Sequence, residues 1–225
     1  MLIFYLRGDL VSIAEKVAEV KKTLVGYDNV KLVAATKYLT IEQTKELVEA
    51  GITDLGENRT DLFLEKYNAL KDYDINWHFF GVVQSRKVKD IANRISCLHS
   101  LDRLSIAMEL DRRLTKPLDC FVQINISEES NKQGIPLSQT KKFIKSLAKC
   151  TNIRVIGLMC IGKLTCEEDV LHEEFAKMQK MQKEIQEMNL DYAPCHELSM
   201  GMSNDYLIAL EHGATYIRLG RIFLE

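Results

Sequence analysis

An eightfold alternation of short apolar runs and helical stretches is the feature of this sequence that most limits its fold. Each apolar run ends at a polar or glycine-marked corner, and a helical stretch follows. Parallel strands that alternate with helices in this way close into a (β/α)8 barrel. The 225 residues are fewer than the roughly 250 typical of such barrels but enough to bury one core. We therefore predict an α/β fold, with one (β/α)8 TIM barrel as a single domain over residues 1–225.

The predicted strands are short and mostly buried on both faces. They span residues 30–36, 52–55, 76–81, 96–101, 118–126, 153–159, 197–200 and 214–219. An additional N-terminal helix is predicted over residues 9–25, because apolar residues recur there at steps of three and four behind an Asp cap. Later helix starts are indicated by capping-box patterns at 40–43 and 165–168, by Asp102 and by Ser138, and Gly51 marks a helix end.

Composition excludes several classes of function. The 30 Lys and Arg nearly balance the 32 Asp and Glu, so nothing favours nucleic-acid binding, and a small neutral or anionic ligand fits better. The six cysteines include no CxxC pair, which indicates reduced core residues and a cytoplasmic protein. The apolar start is interrupted by Arg7 and Asp9, so we expect neither a signal peptide nor a membrane span.

Lys37 closes the first predicted strand, and a charged amine is costly to bury there unless it has a chemical role. Strand ends face the active site of such barrels, and the loops after strands seven and eight often hold a phosphate. Those loops are 199–203 and 218–221. An amine and a phosphate site together suit pyridoxal phosphate. Two plainer interpretations stay open: Lys37 extends to solvent, and the glycines only make tight turns.

The histidines are weaker candidates. His78 lies between Trp77 and Phe79 and is as compatible with a hydrogen-bonded core residue as with a ligand contact. The other histidines, at 99, 172, 196 and 212, share no metal-binding spacing. We therefore predict no metal site.

The residues resemble the YggS/PROSC family of pyridoxal phosphate homeostasis proteins, which is related in fold to the barrel domain of alanine racemase. The resemblance covers nearly the whole chain. It rests on the segments Ala35-Thr36-Lys37, Gly56-Glu57-Asn58-Arg59, Trp77-His78-Phe79-Phe80-Gly81, His99-Ser100-Leu101-Asp102, Gln123-Ile124-Asn125-Ile126-Ser127, Gly157-Leu158-Met159, Leu198-Ser199-Met200-Gly201-Met202-Ser203 and Arg218-Leu219-Gly220.

The resemblance implies that Lys37 holds pyridoxal phosphate as a Schiff base and that Arg218 contacts the pyridine nitrogen. A guanidinium stays protonated and only donates hydrogen bonds, so the ring nitrogen would carry no proton. Such a ring is a poor electron sink, which disfavours transamination and decarboxylation. Racemisation remains compatible, but the related racemases use a second base that involves an additional β domain. We expect this chain to lack that C-terminal domain.

Five further cofactor-binding residues are implied by the same resemblance. Ser199 and the backbone near Gly201 and Gly220 are expected to contact the phosphate, and Asn58 and Met159 to line the pocket. The chain departs from the family pattern at Arg86, at 160–162 and at 223–225. These departures affect loop details rather than the lysine.

The resulting hypothesis is a pyridoxal phosphate carrier that contributes to intracellular vitamin B6 homeostasis, with no residue assigned a catalytic role. Transient contact with apo-enzymes that need the cofactor, and a monomer or weak dimer, are expected. The alternative is a small amino-acid racemase with His78 or Tyr38 as base. A Schiff-base aldolase acting on a phosphosugar and a non-catalytic interaction scaffold are the remaining interpretations.

Overall fold

The structure is a computed structural model that describes residues 11–129, 132–165 and 167–224. Its strands are β1 (Lys31–Ala35), β2 (Asp54–Glu57), β3 (Asn76–Phe79), β4 (Cys97–Leu101), β5 (Leu118–Asn125), β6 (Ile135–Pro136), β7 (Ile153–Cys160), β8 (Glu197–Ser199) and β9 (Tyr216–Leu219). Apart from the two-residue β6, which pairs beside β5, eight of these described strands pair in parallel and close into a ring. The predicted (β/α)8 barrel is confirmed.

The helices are α1 (Ile13–Thr23), α2 (Ile41–Glu49), α3 (Thr60–Ala69), α4 (Val88–Ile91), α5 (Leu104–Asp111), α6 (Thr140–Ser146), α7 (Glu168–Gln186) and α8 (Tyr206–Glu211). The additional helix α1 precedes β1, as predicted. Its predicted start is wrong, because Val11 and Ser12 are not helical and Ser12 caps the helix reciprocally with Glu15. The predicted cap Asp9 lies outside the described residues. Among the described helices, none is long and apolar enough to cross a membrane.

The two predicted capping boxes have different outcomes. At α2 the Gln43 backbone N–H donates to Thr40 Oγ1 at 3.2 Å, and the Thr40 N–H donates to Gln43 Oε1 at 3.0 Å, which confirms the box. The positive φ of 82° at Gly51 confirms the predicted stop. The box at Thr165 is wrong, because its hydroxyl instead accepts from the Glu167 N–H at 3.1 Å. This local turn competes with helix, and α7 begins at Glu168.

Other boundaries moved because side chains and strand pairing decide them. Asp102 does not cap α5, since its carboxylate accepts from Arg103 Nε at 2.9 Å. Ser138 lies within a short 3₁₀ turn, Leu137–Gln139, that precedes α6. Strand β2 continues through Gly56 and Glu57, because these residues pair with β3.

Alternation along the strands separates two apolar cores. The larger core packs between the barrel and its helices, and a smaller cluster fills the barrel interior: Val33, Cys97, Phe121, Ile156, Met159 and Tyr216. The interior also holds buried polar side chains, among them His78, His99, Ser199 and Arg218. Five cysteines within the described ranges are free and buried, as predicted, and Cys166 lies outside those ranges.

Candidate functional site

A cavity of about 420 Å³ lies where the carboxyl ends of the barrel strands meet. Its wall brings together five of the seven predicted cofactor-binding residues: Lys37, Asn58, Met159, Arg218 and Gly220. The other two, Ser199 and Gly201, are not on the wall. Most of the residues predicted from the sequence therefore meet at one cavity. The positions of Ser199 and Gly201 are described below.

Lys37 occupies the turn that follows β1, just before the capped helix α2. Its side chain is half-buried, and the Nζ atom lies 4.7 Å from the centroid of the Tyr38 ring. Within the described part of the chain, no carboxylate lies within ion-pair distance of this amine. Lys37 is therefore placed to meet a ligand inside the cavity.

A buried ion pair fixes the backbone on either side of the cavity wall. Lys66 Nζ contacts Glu57 Oε1 at 2.5 Å and also donates to the Thr36 carbonyl at 2.5 Å. Glu57 in turn accepts from the Thr36 hydroxyl at 2.8 Å and from the Asn58 N–H at 3.2 Å. These contacts tie together the residues that directly precede Lys37 and Asn58. No local sequence pattern predicts this pair, because Lys66 lies nine residues after Glu57, within helix α3.

Asn58 carries an unsatisfied polar atom at the cavity. Its Oδ1 atom is buried and has no hydrogen-bond partner among the described residues. Buried acceptors without a partner are uncommon in folded proteins. The atom is therefore available to a donor group on a ligand.

Arg218 is a buried cation on the same wall. The side chain is only 5% exposed, and its terminal nitrogens donate to Ser199 Oγ at 2.6 Å and to the Cys160 carbonyl at 2.8 Å. Burial lowers the pKa of Arg218, and the nearby Asp205 carboxylate offsets this only in part. No described carboxylate forms an ion pair with Arg218. A buried charge without a direct counter-ion is costly, so this wall favours an acceptor-rich or anionic ligand.

Ser199 lies behind Arg218, in the barrel interior. The side chain is fully buried, and its hydroxyl contacts both Arg218 and His99 Nδ1, the latter at 2.8 Å. Its position therefore does not support the predicted direct contact with a phosphate.

Gly201 shapes the loop after β8 instead of lining the cavity. It has a φ of 94°, and a Cβ atom there would lie 2.9 Å from Tyr206 Cα, so glycine is required. The loop then carries Ser203 and Asn204 onto the wall. Their backbone N–H groups donate to no described acceptor, and the Ser203 hydroxyl lies 3.5 Å from the Gly220 nitrogen. This cluster of donors, rather than Ser199, is suited to an anion.

The charges on the wall also favour an anion. Basic side chains there are Lys37, Lys132, Lys163, Arg218 and Arg221, and Asp205 is the acidic residue among the described lining. Burial raises the pKa of Asp205 above its ordinary value, although the hydrogen bond from the Met202 N–H partly offsets the effect. Clustered positive charge in a concave site raises the local concentration of anions.

The histidines lie away from the cavity. His78 is buried and bonded through both ring nitrogens, to His99 and to Asp54, so it is unsuited to act as a base on a ligand. The ligand atoms of His78, Cys97 and His99 lie within 4.8 Å of one another. Both ring nitrogens of His78 and of His99 are engaged in hydrogen bonds, and burial raises the pKa of the Cys97 thiol well above its usual range. Tyr38 does line the cavity, and Arg86 does not.

Comparison with known proteins gives consistent findings. The family model of the alanine racemase N-terminal domain matches residues 8–224. A pyridoxal phosphate homeostasis protein of Aquifex aeolicus is 35% identical over 200 residues, which cover 88% of this chain and 87% of that protein. The protein of the same name from Synechocystis is 37% identical over 199 residues, or 86% of this chain and 90% of that one.

Solved structures agree with the fold. PipY of Synechococcus elongatus without pyridoxal phosphate has a TM-score of 0.88 and 29% identity, covering 95% of this chain and all of that one. PipY with pyridoxal phosphate bound has a TM-score of 0.86 and 28% identity. An alanine racemase of Corynebacterium glutamicum, at 14% identity and a TM-score of 0.75, shares the fold over 94% of this chain and 60% of its own.

Proposed function

Because this chain belongs to the alanine racemase N-terminal domain family, together with the pyridoxal phosphate homeostasis proteins, we propose that it binds pyridoxal phosphate and contributes to vitamin B6 homeostasis. The observation that carries the proposal is the shared cavity wall. It combines the Lys37 amine, the buried Arg218 guanidinium and the donor loop at Ser203. PipY, which shares this fold, has a solved structure with pyridoxal phosphate bound, and this supports the proposal.

The residues present fit each part of this cofactor. Lys37 is the amine that would hold the aldehyde as a Schiff base, and one water leaves when that bond forms. Ser203, the Asn204 N–H and the Gly220 N–H would hold the phosphate, with Lys163 and Arg221 adding positive charge at the rim. Asn58 offers an acceptor and Met159 an apolar surface. We assign the phosphate contact to Ser203 in place of Ser199.

Arg218 would face the ring nitrogen. As a permanent donor it would supply a hydrogen bond and leave the nitrogen unprotonated. When bound, the cofactor supplies a reactive aldehyde and an electron-accepting ring, and this environment restrains the second property. The chain's own residues therefore favour holding the cofactor over amino-acid turnover.

The positions of the two predicted second bases also support a role in holding the cofactor rather than in catalysis. His78 is enclosed in the barrel interior, so the racemase alternative loses that candidate. Tyr38 remains on the wall, but its ring contacts the Lys37 amine, on the same side of the cavity. Racemisation needs bases on opposite faces of the substrate carbon.

Delivery to apo-enzymes is part of the proposal. Apolar side chains at the cavity wall are exposed, with Tyr38 at 58%, Ile161 at 40% and Leu164 at 87%. Exposed apolar groups beside a ligand site are suited to transient protein contact. The buried free cysteines support a reducing, cytoplasmic setting for this exchange.

The proposal is tested by incubating the purified protein with pyridoxal phosphate, recording the visible absorption spectrum, and then reducing with borohydride. Mass mapping of the digest should place the label on Lys37. Lys37→Ala should abolish both the visible band and the label, because it removes the amine.

Lys163→Ala is the matched control, since this lysine lines the same cavity but is exposed. It should retain the label on Lys37. A label on Lys163 instead of Lys37, or no visible band in the wild-type protein, would contradict the assignment of Lys37 as the Schiff-base lysine. Rapid deuterium exchange at the α-carbon of alanine that depends on Lys37 would favour the racemase alternative.

A further inference from the structure

A continuous chain of polar side chains crosses the barrel interior and ends at the cavity. Asp54 Oδ1 contacts His78 Nε2 at 2.9 Å, and His78 Nδ1 contacts His99 Nε2 at 2.9 Å. His99 Nδ1 contacts Ser199 Oγ at 2.8 Å, and Ser199 Oγ accepts from Arg218 at 2.6 Å. Asp54 opens β2 at the amino end of the barrel, whereas Arg218 reaches the cavity wall near the carboxyl end.

The groups at the two ends of this hydrogen-bonded series set the direction in which its hydrogen bonds are donated. Burial alone raises the pKa of Asp54, but the hydrogen bond from His78 and the nearby Lys31 ammonium outweigh it and leave that pKa below its ordinary value. Asp54 is thus an ionised acceptor. Burial, with a smaller contribution from the neighbouring Arg218 guanidinium, holds the pKa of His99 well below its usual range. At the other end, Arg218 can only donate.

With His99 neutral, one arrangement of protons satisfies every atom of these hydrogen bonds. Each imidazole carries its proton on Nε2: His78 donates to Asp54, and His99 donates to His78. Ser199 then donates its single proton to His99 and accepts from Arg218. The opposite tautomers would leave the hydroxyl proton of Ser199 without an acceptor, and a buried donor left unpaired is costly.

We propose that Ser199, His99 and His78 are positioning residues. Each donates a hydrogen bond to the next group on the way from Arg218 to Asp54, and together these bonds hold the guanidinium in place at the cavity wall. The consequence for ligand binding rests on the proposed function. The hydrogen-bonded series itself does not depend on the proposed function, because it is formed entirely by protein atoms.

Packing supports the role of His99 as the fixed centre of this chain. Its ring stacks on Phe121 with centroids 4.5 Å apart and planes at 26°. Tyr216 packs edge-on against the same imidazole, with ring centroids 5.8 Å apart and planes at 68°. An imidazole held in this way cannot turn to another partner without disturbing the interior cluster.

The test uses the full-length, cofactor-free protein with ¹⁵N-labelled imidazoles, assigned by single His→Gln variants. Long-range ¹H–¹⁵N correlation spectra should show the ring proton of both His78 and His99 on Nε2, and none on Nδ1. Ser199→Ala should shift the His99 Nδ1 resonance and weaken the affinity for pyridoxal phosphate roughly two- to tenfold, the range expected for loss of one hydrogen bond. The absorption band of the bound cofactor should also move.

Ser100→Ala is the matched control. Ser100 is a buried serine on the same strand as His99, but its hydroxyl donates to the Gly81 carbonyl at 2.7 Å and takes no part in the chain. It should leave the imidazole resonances and the cofactor band unchanged. Nδ1–H tautomers in the wild-type protein, or equal effects of the two serine variants, would overturn the proposal.

The two proposals fail separately. If the cofactor binds to Lys37 but the imidazoles are Nδ1–H tautomers, the proposed hydrogen-bonded series is wrong and the proposed function is unaffected. If the imidazoles are Nε2–H tautomers but the protein binds no pyridoxal phosphate, the proposed function is wrong and the hydrogen-bonded series is unaffected.

Discussion

Lys66 shows how one buried side chain can hold two residues of a ligand site. It forms a buried ion pair with Glu57 and also binds the Thr36 carbonyl, directly before Lys37. Buried charge pairs contribute little net stability compared with apolar replacements, but removing one partner leaves the other charge uncompensated. The pair is therefore best understood as a device that fixes the ends of β1 and β2.

Lys66→Met should lower the free energy of unfolding by about 3–5 kcal/mol, because the Glu57 carboxylate is left buried without its counter-ion. Urea denaturation followed by circular dichroism measures this loss. The double variant Lys66→Met with Glu57→Gln should recover much of it. Lys45→Met, which breaks the exposed Lys45–Glu49 pair, should leave the urea midpoint nearly unchanged. An equal loss in both lysine variants would contradict the explanation.

At the scale of elements, helix α2 sets the position of the turn that carries Lys37. The helix starts four residues after this lysine, and its first turn is closed by the reciprocal bonds of Thr40 and Gln43. The cap therefore stabilises the helix and also limits the freedom of the preceding turn. Thr165 has no such effect on α7, since its hydroxyl is used in a local turn.

Thr40→Ala should lower the free energy of unfolding by about 1 kcal/mol, the usual cost of losing a hydroxyl cap. Thr40→Ser keeps the hydroxyl and should retain most of the stability. Thermal and urea unfolding of the three proteins provide the comparison. If serine proves as damaging as alanine, the methyl group of Thr40, and not its hydrogen bond, is the stabilising feature.

At the scale of the whole molecule, the barrel encloses polar groups that must stay in defined protonation states. His99 is neutral when folded because its pKa is held well below the usual range by burial. In the unfolded chain, its pKa returns to about 6.5. The unfolded state therefore binds one more proton below that pH, and stability from this residue is lost as the pH falls. Asp205, with its raised pKa, acts in the opposite sense at lower pH.

The free energy of unfolding should consequently fall between pH 6.5 and 5, with His99 contributing up to about 1.4 kcal/mol per pH unit. Urea unfolding at several pH values would show a shallower slope for His99→Gln than for the wild-type protein, whatever the variant's absolute stability. His196→Gln removes an exposed imidazole and should keep the wild-type slope. Identical slopes in all three proteins would show that folding does not lower the pKa of His99.

Local patterns predicted the barrel and most of the cavity wall. Buried runs and capped helices are recorded in neighbouring residues, and strand ends in this architecture face one site, so Lys37 and Arg218 could be placed from the sequence. The contacts of Ser199 could not, because they join strands that lie 100 and 19 residues apart in the chain. The helix starts at Thr165 and Asp102 failed for a related reason, since nearby side-chain and backbone groups compete for the same polar atoms.

The series of hydrogen bonds that begins at Asp54 connects the two end faces of the barrel, which usually have separate roles. In most (β/α)8 barrels the carboxyl-end face carries the chemistry, and the amino-end face serves stability alone. Here a carboxylate at the amino end is connected through four hydrogen bonds to a guanidinium on the cavity wall. Natural variation or engineering at that remote face therefore acts on the ligand site as well as on the scaffold.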